Sequence, residues 1–433
     1  MAGVAEQLAA MVGAEAVTAW EAVSSDWRQR VSGALAPGVT PACMVMPDQE
    51  AALAAVVAAC HQNRWPILPC GQGSKLSWGG LATAAPVVLS TARLNRVVAH
   101  WADDFTVRGE AGLRLADLQR QLAAQQQWLP VDPLYPDQAT LGGMVATADT
   151  GSLRQRYGGI RDLLIGVQFV RHDGQIVKAG GRVVKNVAGY DLMKLMTGAY
   201  GTLGLLTQLT FRLYPQPATS QTILLSGDPE AIAKAALQVR LAGLTPVALD
   251  LWAGGPQHPT PHAPLLAGRF QGIPAGVTEQ VTRFAEIGKL LGLTQQLLSE
   301  TDEVAFWQAL PVDDGDILGK VGLRPTAILP FLQQLAACLP AGWSARLHNG
   351  SGLGLVRWAA GGAAVPDKAL VETVRSHCEA HQGFFTLLQA PIPLKQGVEI
   401  WGYGGNALEV MQQLKANFDP WGGFSPGRYL GTI

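Results

Sequence analysis

The apolar run Pro66-Ile67-Leu68 enters Pro69-Cys70-Gly71-Gln72-Gly73-Ser74-Lys75-Leu76, and Ser77-Trp78-Gly79-Gly80 then leads toward another strand-like segment. A short strand that opens into a glycine loop and leaves as a strand constrains the fold more than any other feature here. Two phosphate-binding designs fail against it. The dinucleotide fingerprint Gly-x-Gly-x-x-Gly needs a third glycine where Leu76 stands, and a helix N-terminus to receive the pyrophosphate. The nucleotide-triphosphate loop needs Gly-x-x-x-x-Gly-Lys-Ser/Thr, and Gly73-Ser74-Lys75-Leu76 lacks both the spacing and the second hydroxyl. What remains is a nest in which successive N–H groups from Gly71, Gln72, Gly73, Ser74 and Lys75 to Leu76 converge on a diphosphate. Lys75 is the loop's one cation, and either faces the phosphate or is a solvated surface lysine.

A second glycine-dense stretch begins at Thr140-Leu141-Gly142-Gly143 and ends at Tyr200-Gly201-Thr202-Leu203-Gly204-Leu205. From 142 to 204 there are 13 glycines in 63 residues, against 50 in the 433 of the chain. Turns alone could account for such a density in a β-rich domain. Gly142, Gly143 and Ala146, however, leave no bulk where a flat ring and its diphosphate would lie against backbone. Gly201 and Gly204 likewise let main-chain groups reach a ring edge or an adenine.

Composition narrows the class. About 150 residues per domain suggests two or three domains. Charged residues make up 15% of the chain, low against the roughly 25% of soluble domains. A net charge of -1 gives no basic excess for nucleic acid or an anionic membrane. No apolar run reaches the 18–20 or so residues of a membrane span; Ala51 to Cys60 reads as a buried helix. The N-terminus has no basic n-region and carries Glu6, against a signal peptide. Cys43, Cys60, Cys70, Cys338 and Cys378 are odd in number and scattered. They suit neither a disulfide framework nor a zinc or iron–sulfur ligand set, and the default compartment is the cytoplasm.

Along the chain, Val4, Leu8, Met11, Val12, Trp20, Val23, Trp27 and Val31 recur at helical spacing, so residues 1–37 read as a helical segment ended by Pro37-Gly38. An extended 42–46, a helix from Asp48 to Asn63 and strand 67–68 precede the loop. Strands follow near 86–90 and 106–108, with a helix starting near Arg114. His172-Asp173-Gly174 centres a hairpin, and 205–213 is a half-buried strand. Tyr214 to Ser220 marks a boundary. Beyond it, strands near 246–252, 264–270, 316–323, 343–348, 353–358 and 384–389 alternate with helices near 277–292, 325–339 and 366–381. That pattern is an antiparallel sheet with helices on one side, an α+β domain at 218–400, before a Gly- and aromatic-rich tail at 401–433. No internal repeat is evident.

At this point the residues resemble a known family. The sequence from about 40 to 217 is similar to the flavin-binding domain shared by vanillyl-alcohol oxidase and p-cresol methylhydroxylase. Pro69-Cys70-Gly71-Gln72-Gly73-Ser74 is close to its Pro-x-Gly-x-Gly-Ser pyrophosphate loop. Asp132-Pro133 and Ala139 to Thr147 look like its stretch along FAD, and Arg156-Tyr157-Gly158 with Arg161-Asp162 match a further block. Lys185-Asn186-Val187-Ala188-Gly189-Tyr190-Asp191-Leu192 and Gly201 to Thr207 match two more. The resemblance implies an α+β fold: a two-subdomain FAD-binding domain over 38–217, an antiparallel-sheet cap that holds substrate, and a tail returning to the FAD domain. It adds Pro133, Leu141, Gly158, Asn186, Tyr190, Asp191 and Leu205 to the expected FAD contacts; Tyr190 and Asp191 could equally be structural. Relatives that attach FAD covalently use a histidine or cysteine near these loops. The loop has no histidine and Cys70 precedes its first glycine, so non-covalent FAD is expected.

The whole chain most resembles the FAD-binding subunits of bacterial and cyanobacterial glycolate oxidases, on Val184 to Leu195, the compact second domain and the ending Phe418-Asp419-Pro420 to Phe424-Ser425-Pro426-Gly427-Arg428. This implies an FAD-dependent oxidoreductase acting on CH–OH donors, in a complex with a homologous FAD-containing catalytic subunit and an iron–sulfur subunit. Membrane association would then come only through partners. His348 is the candidate base, and Arg324 or Arg357 the candidate carboxylate clamp, since arginine offers a bidentate fork. A catalytic relative's His-rich motif would align with His348-Asn349-Gly350-Ser351-Gly352-Leu353-Gly354, where its second His and its Asp are missing. A non-catalytic FAD scaffold and a stand-alone alcohol or sugar oxidase are therefore alternatives.

Overall fold

The computed structural model describes residues 2–182, 189–255, 263–308, 310, 312–313, 315–361 and 364–433. It divides into two units: Met1–Thr150, Gly159–Gln216 and Gly404–Ile433 form the first, Gly151–Gly158 and Pro217–Tyr403 the second.

The first unit contains two principal sheets. One comprises β1 (Val17–Ala19), β2 (Cys43–Val45), β3 (Ile67–Cys70) and β4 (Val87–Ser90) in the order β1-β2-β4-β3. β2 and β3 both run parallel to β4, which demands a crossover between them. The helix Glu50–Asn63 supplies it, burying Leu53, Val56, Val57 and Cys60 with Val45, Val87 and Leu89. Val88 faces the other way, onto Met44, Leu68 and Leu76. A strand covered on both faces has to be apolar throughout, as Val87-Val88-Leu89 is.

The N-terminal segment departs from its helical pattern. Helices Ala2–Val12 and Ser25–Ser32 are separated by β1, which pairs antiparallel with β2 through Val17 and Val45. Gly13, at φ 93°, ends the first helix, and the sheet edge overrides the spacing.

The second sheet joins β5 (Val97–Trp101), β6 (Thr106–Glu110), β8 (Leu164–Val170), β9 (Ile176–Gly180) and β10 (Leu205–Arg212). It is antiparallel, in the order β5-β6-β10-β8-β9, while β7 (Gln127–Trp128) pairs separately with β11 (Tyr214–Pro215). The hairpin β8–β9 turns at Asp173-Gly174, where Gly174 has φ 85° and the Asp173 carboxylate accepts from Gln175 N–H. The tail adds the helix Leu408–Phe418 and then runs beside β3: Ile67 N–H donates to Gly423 O, and Ser425 N–H donates to Ile67 O. The buried Lys415 ammonium anchors it on Thr202 O, Asp419 and Phe424 O.

The second unit is an eight-stranded antiparallel sheet. Its strands are β12 (Thr219–Ser226), β13 (Ala248–Gly254), β14 (Leu265–Gly272), β15 (Thr294–Leu297), β16 (Asp316–Gly322), β17 (Ser344–His348), β18 (Leu353–Ala359) and β19 (Phe384–Gln389). The order is β15-β12-β14-β13-β17-β18-β16-β19. Helices Pro229–Leu241 and Pro274–Leu290 complete one βαββαβ module; Ile328–Cys338 and Ala364–Ala380 complete another. Each module has the same internal strand order, and the two meet at β13 and β17. The chain is thus internally repeated in topology, a repeat not evident in its residues. Period-two alternation buries Leu249, Leu251, Leu347, Val356 and Phe385 in the helix-covered core. The alternate positions Asp250, Trp252, Arg346 and His348 belong to the opposite face.

Several elements escaped the sequence pattern: β12, β15 and the helices Pro229–Leu241, Glu300–Gln308 and Leu408–Phe418. The first of these helices carries a clear start signal. Asp228 caps it by accepting from Ala231 N–H, with Pro229 in its first turn. No helix among the described residues is long and apolar enough to cross a membrane. Asp228→Ala should destabilise the protein by about 1 kcal/mol, the usual worth of a cap, and chemical denaturation will read this as a lower midpoint at unchanged slope.

Candidate functional site

A groove in the first unit brings both glycine-rich regions together. Its walls are the 69–76 loop, Thr91, Ala111, the Thr140–Thr147 segment, the stretch from Met196 to Leu206 and Arg428. It encloses about 840 Å³ of empty space, open solvent at the mouth included.

The loop's polar groups are divided in a telling way. Its carbonyls are occupied: Cys70 O by Thr91, Gly71 O by the Ser90 hydroxyl, Gln72 O by Arg30, Gly73 O by Leu76 N–H, Lys75 O by Trp78 N–H and Leu76 O by Arg428. The N–H groups of Gln72, Gly73, Ser74 and Lys75 donate to nothing among the described residues. Four neighbouring donors without a protein acceptor make a concavity of the kind suited to an anion. Leu76 N–H donates to Gly73 O and closes a turn instead, so it drops out of the nest that the spacing predicts.

Close approach explains the glycines. Gly73 sits at φ 80°, and a side chain there would lie 3.0 Å from Trp27. A Cβ on Gly142 would come within 3.0 Å of both the Ala111 side chain and its carbonyl oxygen. Thr140 caps the short helix Leu141–Thr147 by accepting from Gly143 N–H, which turns Gly142, Gly143 and Ala146 toward the groove. Gly201, Gly204 and Leu205 line the far side.

The cations are handled differently from one another. Lys75 is buried, ion-paired to the buried Asp149 at 2.8 Å and over the Trp78 ring. It is not a solvated lysine, and its charge is already balanced. Arg428, from the tail, is buried with only backbone carbonyls as partners. Among the described residues Cys70 is the one cysteine that lines the groove, and no histidine lines it; burial pushes the Cys70 thiol up to about 12, so it stays protonated at neutral pH.

Other expected contacts lie elsewhere. The Leu141 side chain is in the hydrophobic core, and Pro133 is buried and not among the groove's lining residues. Gly158 is the C-cap of the helix Arg154–Tyr157, grouped with the second unit, where its φ of 79° meets a turn's need. Tyr190 is 91% exposed, and Asp191 caps the helix Leu192–Met196 while pairing with Lys194. Asn186 lies outside the described residues. The groove residues that sequence reasoning missed are Thr91, Ala111, Thr147, Met196, Ala199, Tyr200, Leu206 and Arg428. Thr147, Tyr200, Leu206 and Arg428 stood in segments already singled out.

In the second unit His348 ends β17 directly opposite Asp250 of β13. Its Nδ1 lies 3.0 Å from the Asp250 carboxylate, whose other oxygen accepts from the buried Ser152 hydroxyl. Burial alone would raise the Asp250 pKa; His348, Arg346 and Ser152 together hold it below the usual carboxylate range. The serine bonds the aspartate and not the histidine, so this is an oriented imidazole rather than a serine-nucleophile triad. His348 Nε2 has no partner among the described residues. Neither expected clamp joins it. Arg324 is exposed and bonds Gln382. Arg357 gives its fork to Asp316, with bonds of 2.7 and 3.1 Å. Arg346, two residues from His348, is stacked 4.1 Å over Trp252 and bonds Trp307 O.

Gly73→Val should purify with little or no flavin, because a β-branched side chain at positive φ strains or moves the nest by about 1–3 kcal/mol. The check is the ratio of flavin absorbance to protein, set against the unaltered chain after reconstitution with FAD.

Comparison with known proteins places these features. Residues 41–180 match the family model described as an FAD binding domain. The glycolate oxidase subunit GlcD of Bacillus subtilis is 30% identical over 211 residues, 48% of this chain and 45% of that protein. The glycolate oxidase subunit GlcE of Escherichia coli is 32% identical over 177 residues, 41% of this chain and 50% of that protein. The chain thus matches half the length or less of these relatives. Substrate-bound p-cresol methylhydroxylase superposes with a TM-score of 0.73 at 14% identity, covering 98% of this chain and 96% of that one. Residues 41–180 are thus similar to an FAD binding domain, and the chain has the α+β fold seen in p-cresol methylhydroxylase.

Proposed function

We propose that this chain is the FAD-binding subunit of a 2-hydroxy-acid dehydrogenase complex, with glycolate or D-lactate as the class of substrate and the 2-oxo acid as product. The observation that carries the reading is the groove: four unpartnered loop N–H groups beside glycines that admit a cofactor against bare backbone. The residues fit FAD, whose diphosphate needs such a nest and whose flat ring needs such walls. The 69–76 loop would hold the diphosphate, with Gly142, Gly143, Ala146, Gly201 and Gly204 against the rest.

Bound FAD supplies a two-electron acceptor for the substrate's α-hydrogen. His348 would take the hydroxyl proton. Nδ1–H donating to Asp250 leaves Nε2 as the acceptor lone pair, and the carboxylate stabilises the imidazolium that results. The protonated Cys70 and the absence of histidine among the groove's described lining residues support non-covalent attachment. Heat or acid should therefore release intact FAD, with no flavin left on the denatured chain, as the absorbance of supernatant and pellet will show.

A second reading has its own support: the His348 segment lacks the catalytic relative's second His and its Asp, and both expected arginine clamps are engaged elsewhere. In that reading the chain holds FAD and relays electrons while a homologous flavoprotein subunit oxidises the substrate and an iron–sulfur subunit carries electrons away. Mass spectrometry and iron analysis of complexes purified from native cells test these partners. Purified chain with glycolate or D-lactate and a dye acceptor separates the rest. Turnover supports the first reading, bound flavin without turnover the second, and peroxide formation a stand-alone oxidase. Where turnover occurs, His348→Gln should lower kcat by about 10²–10⁴, the usual contribution of a general base, at unchanged flavin content.

A further inference from the structure

We propose that Arg428 supplies the counter-charge for the cofactor's diphosphate, so that docking of the C-terminal tail and retention of FAD are one coupled event. This rests on the FAD reading above and goes beyond it, because it puts a recognition residue outside the FAD-binding domain match at 41–180.

Charge balance makes the argument. Two buried cations line the groove, Lys75 and Arg428. Asp149 cancels the first at 2.8 Å. The second has no acidic partner among the described residues: Nη1 donates to Ala34 O at 3.3 Å, and Nη2 to Leu76 O at 3.0 Å and Trp78 O at 2.6 Å. Carbonyl dipoles satisfy its hydrogens but not its charge. Burial pulls its pKa down to about 10, still far above neutral pH, so the charge is present. A buried, uncompensated charge is strongly unfavourable. The Leu76 carbonyl it grips ends the same loop whose N–H groups from Gln72 to Lys75 lack an acceptor. One anion in the nest satisfies both deficits.

The tail is built to deliver this residue. Thr83 N–H donates to Pro426 O and Gly80 N–H to Arg428 O, both at 2.9 Å, while Ser425 N–H donates to Ile67 O. A Cβ on Gly80 would stand 2.7 Å from Gly427 O, so Gly80 is there to let the tail backbone lie flat against it. Arg428 then ties Ala34, the loop and the tail together through one guanidinium.

The test uses full-length apoprotein titrated with FAD, ADP and riboflavin, in the wild type, Arg428→Lys and Arg428→Met. ADP carries the diphosphate without the ring, and riboflavin the ring without phosphate. Loss of charge-assisted bonds should weaken FAD and ADP about 10- to 100-fold in R428M, leave riboflavin within about twofold, and be partly restored in R428K. FAD affinity unchanged in R428M overturns the inference and leaves the cofactor reading standing. Equal weakening of FAD and riboflavin also overturns it, because that marks a collapsed loop. Hydrogen exchange on the wild type needs no variant to fold: ADP should slow exchange at residues 423–430 and riboflavin should not. Equal protection by both, or by neither, overturns the coupling. A wild type that takes up no FAD overturns the cofactor reading, and this inference with it.

Discussion

Seven residues between β3 and the chain's next turn set the terms for the first unit. From Cys70 to Leu76 nearly every carbonyl oxygen has a donor, contributed by Thr91, Ser90, Arg30, Trp78 and Arg428, while four consecutive N–H groups have no acceptor. Gln72, Gly73 and Ser74 are half-buried and line the groove, where solvent or a bound anion can complete such groups. The surrounding structure holds the imbalance in place: β4 and the residues after it pin the carbonyl side, and Thr140 and Gly142 bring a second segment close. The parallel sheet and its crossover helix Glu50–Asn63 act as the frame that holds the loop with these four N–H groups turned away from any acceptor among the described residues.

The second unit solves a different problem by repetition. Two βαββαβ modules join edge to edge, and the join places β13 beside β17. There the register sets Asp250 against His348 on the face opposite the helices. Moving either strand by one residue would turn these side chains into the helix-covered core, where a carboxylate and an imidazole could not stay. The alternation that builds the hydrophobic core thus also fixes the polar pair, and Ser152 completes it from the 151–158 segment, which belongs to this unit despite its place in the chain.

Legibility followed backbone demands. Gly71, Gly73, Gly142, Gly143, Gly201 and Gly204, which all line the groove, were legible because close approach leaves a mark in composition. Tyr190, Asp191, Gly158 and Leu141 fell within recognisable blocks but are not among the groove's lining residues: Tyr190 is exposed, Asp191 caps a helix, Gly158 ends one at positive φ and Leu141 packs in the core. Arg324 and Arg357 were chosen for what an arginine can do; their forks bond Gln382 and Asp316, an engagement that depends on strands and loops far away in sequence. The repeat of the second unit left no mark because what recurs is strand order and helix placement, conditions that very different residues satisfy.

The amino-acid sequence by itself determined the strand–loop–strand nest, the glycine-lined walls, the α+β second half and the scattering of the cysteines. These depend on local backbone freedom and periodicity, which neighbours along the chain specify. Tertiary structure alone decided that Lys75 is neutralised by Asp149, that Arg428 reaches the loop from the tail, and that Asp250 orients His348 across 98 residues. Charge pairing and hydrogen bonding act through space, and which groups meet depends on register, crossover and the return of the tail.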